Sequence, residues 1–207
     1  MLNKKNHFIK IFFTIFTLIV FLFVLSVINY ISCLKSSQKL SFYSNNNHEI
    51  MRIKIYGSST SKEGNTISGT FSIINMNGNE IAVIERSWNG SYLGVEFNKI
   101  KLNGHKFVFP IKVYGKENII ETKKDLKKGT ELRKYYSENK ECLLLGNDST
   151  KSQRKALYKI SLLGMKYLSL MNFYFTDFCT IDLSECKTNR YYSITCDKNC
   201  NLFISEI

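Results

Sequence analysis

The chain has 207 residues, carries 29 lysines and arginines against 17 acidic residues for a net charge of +12, and is 44% hydrophobic. Once about 40 residues are set aside for an anchor and stalk, what remains has room for one domain of ordinary size with a real core, and one domain is the default reading. His7, His48 and His105 form no pair at metal-ligand spacing, and no Gly-x-Ser-x-Gly, His-Glu-x-x-His or phosphate-cradling glycine loop occurs, which excludes the commonest hydrolase, zinc and nucleotide signatures.

Ile11 to Leu34 runs for 24 residues without a charge. A helix rises about 1.5 Å per residue, so roughly 20 apolar residues cross a hydrocarbon core about 30 Å thick. Residues 11-34 therefore read as a transmembrane signal-anchor helix in contact with membrane lipid. Lys4, Lys5 and Lys10 precede it, Lys35 and Lys39 follow, and no acidic residue comes before Glu49. That balance favours residues 1-10 in the cytoplasm and a single-pass membrane protein with its C-terminal domain outside. Bulky Asn29, Tyr30 and Ile31 at the end of the run argue against a cleaved signal peptide. Ile31-Ser32-Cys33 resembles the end of a bacterial lipobox, which implies the alternative of a lipoprotein anchored at Cys33. The other reading makes Cys33 one more apolar residue of the helix.

Residues 35-48 are polar, contain a run of three asparagines and read as a flexible stalk; residues 49-207 form the extracytoplasmic domain. With five lysines in the first 40 residues, the displayed part keeps a charge of +7. A basic domain beside anionic headgroups is attracted over about 8 Å at physiological salt, so its near face rests on the bilayer. The scattered lysines make no nucleic-acid motif, and no nucleic acid is expected as a partner.

From Met51 to Tyr114, three Asn-Gly pairs (Asn77-Gly78, Asn89-Gly90 and Asn103-Gly104) separate runs rich in β-branched and aromatic residues. Both residues of such a pair tolerate φ > 0, so the pattern predicts an antiparallel β-meander. Alternation points Ile67, Phe71 and Ile73, then Leu93, Val95 and Phe97, then Phe107, Phe109, Ile111 and Val113 into the core. Tyr92, Gly94 and Glu96, and Lys106, Pro110, Lys112 and Tyr114, face solvent or a partner. The apolar parity flips between Phe97 and Ile100, which predicts a bulge near Asn98-Lys99. Pro110 has no N–H to donate, so its strand lies at an edge or bulges there. Ile81-Ala82-Val83-Ile84 is apolar on both parities and predicts a strand buried on both faces. Its cover is an amphipathic helix from about Lys151 to Met171, opened by a Thr150/Gln153 capping box and showing a basic stripe outside. Cys142 to Leu145 reads as a short buried strand, and Phe173 to Leu183 and Arg190 to Ile207 as further strands, the last a hairpin around Asp197-Lys198-Asn199.

Cys179, Cys186, Cys196 and Cys200 crowd the C-terminal region. Outside the cytoplasm this predicts two disulfides stapling a hairpin, with Cys196 and Cys200 opposite each other at the strand ends and Cys142 left as a buried thiol. A four-cysteine zinc site is the other reading, although the paired short knuckles are missing. Trp88 and Tyr92 flank Asn89-Gly90 at an expected hairpin tip and are candidates for contact with a partner; the alternative folds Trp88 into the core. Glu80, Glu85 and Glu96 fall on adjacent predicted strands and could converge as a glycosidase-like set, against the simpler reading of surface charge pairing. The fold class is thus α+β: an N-terminal transmembrane helix, an antiparallel meander sheet with one packed amphipathic helix, and a cysteine-rich C-terminal hairpin. The function expected is non-enzymatic binding or a structural role at the cell envelope, to an envelope protein or polysaccharide, without cofactor or metal. The alternative is an extracytoplasmic hydrolase.

Overall fold

A computed structural model describes residues 2–40, 47–62, 64–118, 129–163 and 176–207, with side chains from residue 10 onward. An N-terminal helix, α1 (Leu2–Gln38), leads into strands β1 (His48–Ser61), β2 (Gly64–Ile74), β3 (Glu80–Asn89), β4 (Tyr92–Leu102) and β5 (His105–Lys116). Short elements follow: β6 (Thr130–Glu131), α2 (Arg133–Tyr136), β7 (Ser137–Glu138), β8 (Glu141–Cys142) and a 3-10 turn at Leu143–Leu145. The chain then forms α3 (Lys151–Leu163), β9 (Thr176–Asp182), β10 (Tyr191–Cys196) and β11 (Leu202–Glu206). The architecture is α+β, with an apolar N-terminal helix and antiparallel sheets.

The meander expected as one sheet divides into two. A five-stranded sheet has the order β11-β10-β1-β2-β3, and a four-stranded sheet the order β6-β5-β4-β9. Asn77-Gly78 and Asn103-Gly104 close hairpins as expected. Asn103 (φ 50°) and Gly104 (φ 81°) both take positive φ between the paired Leu102 and His105, the requirement of a two-residue primed turn. Asn89-Gly90 does something else: it carries the chain from one sheet to the other. Gly90 has φ 129°, and a Cβ there would lie 2.6 Å from the Lys116 backbone, so the crossing needs a residue without one. One apolar core joins both sheets, with Met51, Ile53, Phe71, Ile84 and Ile194 from the first and Leu93, Val95, Phe97, Phe107 and Phe109 from the second.

Several face assignments change for the same reason. β3 is an edge strand, and Val83 is 53% exposed, so Ile81 to Ile84 is not buried on both faces. The strand that is buried on both faces is β4, inserted between β5 and β9: Gly94, Glu96 and Asn98 are as buried as Leu93, Val95 and Phe97. Tyr114 and Pro110, expected to face outward, are buried as well. The register shift falls opposite Glu96/Phe97, where Ile111 of β5 is the extra residue, and not at Asn98-Lys99. Pro110 adjoins that bulge, as its missing N–H requires. Ile111 is consequently only half-buried.

The capping box of α3 is made: the Gln153 carboxamide accepts the Thr150 N–H at 2.8 Å, and the Thr150 hydroxyl accepts the Gln153 N–H at 3.3 Å. The helix does not cover β3. Its apolar face, Ala156, Leu157, Ile160 and Leu163, meets the end of α1 and the β8 segment instead. The expected continuation to Met171 lies outside the described residues, as does the start of the strand expected from Phe173. Cys142 ends β8, and the leucines after it wind into the 3-10 turn, so the short strand expected there is mostly helical.

Candidate functional site

α1 is the one helix among the described residues long and apolar enough to cross a membrane, and its side chains from Ile11 to Leu25 are exposed, with no protein against them. From Tyr30 onward the helix acquires partners. Cys33 is fully buried with its thiol 3.8 Å from the Lys159 carbonyl, the Lys159 ammonium bonds the Ser32 hydroxyl, and Lys39 reaches Ser152 at 3.4 Å. Ser37 and Leu40 are also buried. The first residues of the expected stalk therefore belong to the helix and to its packing on α3, while residues 41–46 lie outside the description. Cys33, the lipidation candidate, occupies the interface between the two helices.

Sequence reasoning missed the outward face of the five-stranded sheet. Strand pairing lines up Tyr191, Lys54, Thr70 and Glu85 in one row across β10, β1, β2 and β3, and Ser205, Ser193, Arg52, Ser72 and Val83 in the next. The Lys54 ammonium lies 4.8 Å from the centre of the Tyr191 ring and 5.7 Å from that of Tyr56, within cation–π range of both. Tyr56 is the extra residue of a β1 bulge, which explains why alternation did not place it. Its hydroxyl is 2.6 Å from Thr70 Oγ1; Ser68 and Ser87 are hydrogen-bonded at 2.7 Å, and Ser59 and Thr66 at 2.9 Å. The result is a field of ring faces, hydroxyls and a few charges on one face of the sheet.

Trp88 and Tyr92 do not form an exposed pair. Trp88 is 5% exposed, stacks edge-on against Phe71 at 5.3 Å between ring centres and donates its indole N–H to Thr130 Oγ1 at 3.0 Å. Tyr92 is half-buried. Around Trp88 lies a cleft of about 470 Å³ with Arg86, Lys134, Glu117 and Glu131 on its walls. Both carboxylates are engaged, Glu131 with Lys112 at 2.9 Å and Glu117 with the Asn65 amide at 3.1 Å. Glu80, Glu85 and Glu96 do not converge, because β3 and β4 belong to different sheets: Glu85 is exposed and Glu96 is buried.

All six cysteines carry free thiols, and the described residues contain no group of three or more His, Cys, Asp or Glu arranged to hold a metal. The two expected disulfides are not formed in the structure. Cys196 pairs across the hairpin with Leu202, not with Cys200, because Asp197 Oδ1 accepts the N–H groups of Asn199 and Asn201, each at 2.7 Å, and lengthens the turn. The Cys196 thiol donates to the Asp197 carbonyl at 3.4 Å. Cys179 is half-buried on β9, and burial raises its thiol pKa. Cys186 follows β9 and is pushed up to about 11 by burial and by Asp182 and Glu185; Cys142 is pushed up to about 12 by complete burial.

These features define an α+β protein with an apolar N-terminal helix packed at its end on the domain, and an open, aromatic and hydroxyl-lined sheet face. Comparison with protein-family models, curated proteins and solved structures finds no match.

Proposed function

We propose that this chain is a membrane-tethered binding module, with α1 crossing the membrane, residues 1-10 in the cytoplasm and the domain displayed outside, where its five-stranded sheet holds an extended polysaccharide of the cell envelope. The observation that carries this reading is the Tyr191–Lys54–Tyr56 group set among hydroxyl pairs on a solvent-facing sheet. Ring faces offer large, rigid area to sugar C–H groups, and the fixed hydroxyls and charges offer hydrogen bonds to sugar hydroxyls. The lysines flanking the apolar run support the orientation. The packing of α3 on the end of α1 supports a domain held close to the bilayer.

Purified full-length protein in detergent is retained on isolated envelope polysaccharide, and Tyr56→Ala and Tyr191→Ala each weaken retention roughly tenfold, the effect of losing a contact worth about 1.4 kcal/mol. Unchanged retention in both variants sinks the sheet-face reading. Release of soluble sugar, abolished by Glu131→Gln, makes the protein a hydrolase acting in the Trp88 cleft. Protease added to cells with an opened outer envelope digests the domain; full protection reverses the orientation.

A further inference from the structure

β11 is one edge of the five-stranded sheet, and its register with β10 runs from Cys196↔Leu202 to Tyr192↔Glu206 without a shift. At the two ends of that ladder the Asp197 N–H donates to the Asn201 carbonyl and the Ile207 N–H to the Tyr191 carbonyl, each at 3.0 Å. Hydrogen bonding alternates along an antiparallel strand, so residues 201, 203, 205 and 207 turn their peptide groups to β10. The N–H and C=O groups of Leu202, Ile204 and Glu206 therefore point away from the sheet, along an edge where no described strand pairs. The apolar side chains stand in solvent as well: Phe203 is 54% exposed, Ile204 36% and Ile207 64%. Edge strands ordinarily carry lysine, proline or a bulge that blocks pairing with another chain. Leu202–Glu206 has none of these, whereas β3, the opposite edge, carries Glu80, Glu85 and Arg86 and bulges at Ile81.

We infer that β11 pairs antiparallel with β11 of a second copy of this chain, joining two five-stranded sheets edge to edge about a two-fold axis at Ile204. The register follows from which peptide groups face outward. With Ile204 opposite its own counterpart and Leu202 opposite Glu206 of the second copy, all three outward residues bond across the axis. A slip of one residue sets outward groups against groups already bonded to β10, and a slip of two leaves one of the three unpaired. The same register covers the exposed side chains. Phe203 lies opposite Ser205 of the second copy and diagonal to its Phe203 and Ile207, within the reach of an aromatic ring. Charge agrees: Glu206, the one charged residue of β11, comes beside the second copy's β10–β11 turn, where Lys198 is exposed and the Asp197 carboxylate is taken up by the N–H groups of Asn199 and Asn201. Edge-to-edge pairing keeps the Tyr191–Lys54 faces of both copies on the same side, and it does not depend on what that face binds.

Sedimentation of the full-length protein in density-matched detergent gives a dimer that dissociates on dilution. Ile204→Lys, which sets two ammonium groups against each other at the axis, weakens that dimer at least about tenfold. In wild-type protein, free of any folding effect of the substitution, amide hydrogen exchange at Leu202, Ile204 and Glu206 slows as the concentration rises through the dimer transition. Phe203 and Ser205, already bonded to β10, exchange alike in both forms. A monomer at every concentration, or a dimer that Ile204→Lys leaves intact and that another surface such as α1 therefore holds, overturns the inference. So does slow exchange of the three amides in dilute protein, which means that another segment of the same chain pairs with β11.

Discussion

In the five-stranded sheet, the residues that alternate with the core set, among them Tyr56, Tyr191 and Val83, stand in solvent, whereas in β4 of the four-stranded sheet the alternates Gly94, Glu96 and Asn98 are as buried as the core residues between them. Both sheets contribute one face to the same core, so the difference lies in what covers the other face. Burying the second face of β4 takes polar groups out of water. Lys116 is 3% exposed and meets Asp182 of β9 at 2.8 Å, and the Asn98 carboxamide makes no hydrogen bond among the described residues. Such groups cost stability unless paired. The open sheet meets less of that cost: on its outward rows Ser72 and Ser193 are buried, while Arg52, Lys54 and Thr70 keep part of their surface in water. The four-stranded sheet is thus covered on both faces along β4, whereas the five-stranded one is covered on one.

The largest effect that can break this comparison is at the middle of β4. Phe97→Ala removes a fully buried ring from the shared core and costs about 3–5 kcal/mol, read from the urea midpoint of the detergent-solubilised protein. A loss below about 1 kcal/mol means the four-stranded sheet is not the structural one.

Asp182→Asn comes next and adds a pH signature. Burial raises the Asp182 pKa, but hydrogen bonds from Lys116 and Ser184 outweigh it and hold the carboxyl below its ordinary value. A carboxylate depressed in the folded state stabilises the protein above its unfolded pKa, near 3.9, and loses that contribution as pH falls through the folded value. Breaking a buried pair costs about 3–5 kcal/mol; with the Asp182 side chain 48% exposed, the expected loss at pH 7 is about 1–3 kcal/mol. The gap between wild type and variant closes as pH drops below about 4. A gap that stays constant with pH removes the ion pair from the account.

The smallest effect sharpens the other side. Val83→Thr on the open face changes stability by no more than about 0.5 kcal/mol, because a side chain already 53% exposed has little burial to lose. A loss above about 1 kcal/mol reveals a covered face.

What the amino-acid sequence determined by itself is the set of features whose energetics close within a few residues. The charge-free run makes α1; the paired positive φ of Asn103-Gly104 makes a hairpin; Thr150 and Gln153 satisfy each other's backbone at the start of α3. The tertiary structure decided which faces are covered, because cover comes from distant segments. β4 sits between β5 and β9 with Glu96 buried, α3 goes to the end of α1 and leaves Val83 open, and Asn89-Gly90 carries the chain from one sheet to the other, with the Lys116 backbone filling the space a Cβ at Gly90 would need. The candidate face was the least legible part. Lys54 meets Tyr191 only through the pairing of β1 with β10, and Tyr56 joins them through a bulge, so neither alternation nor spacing along the chain could have put the three side chains together.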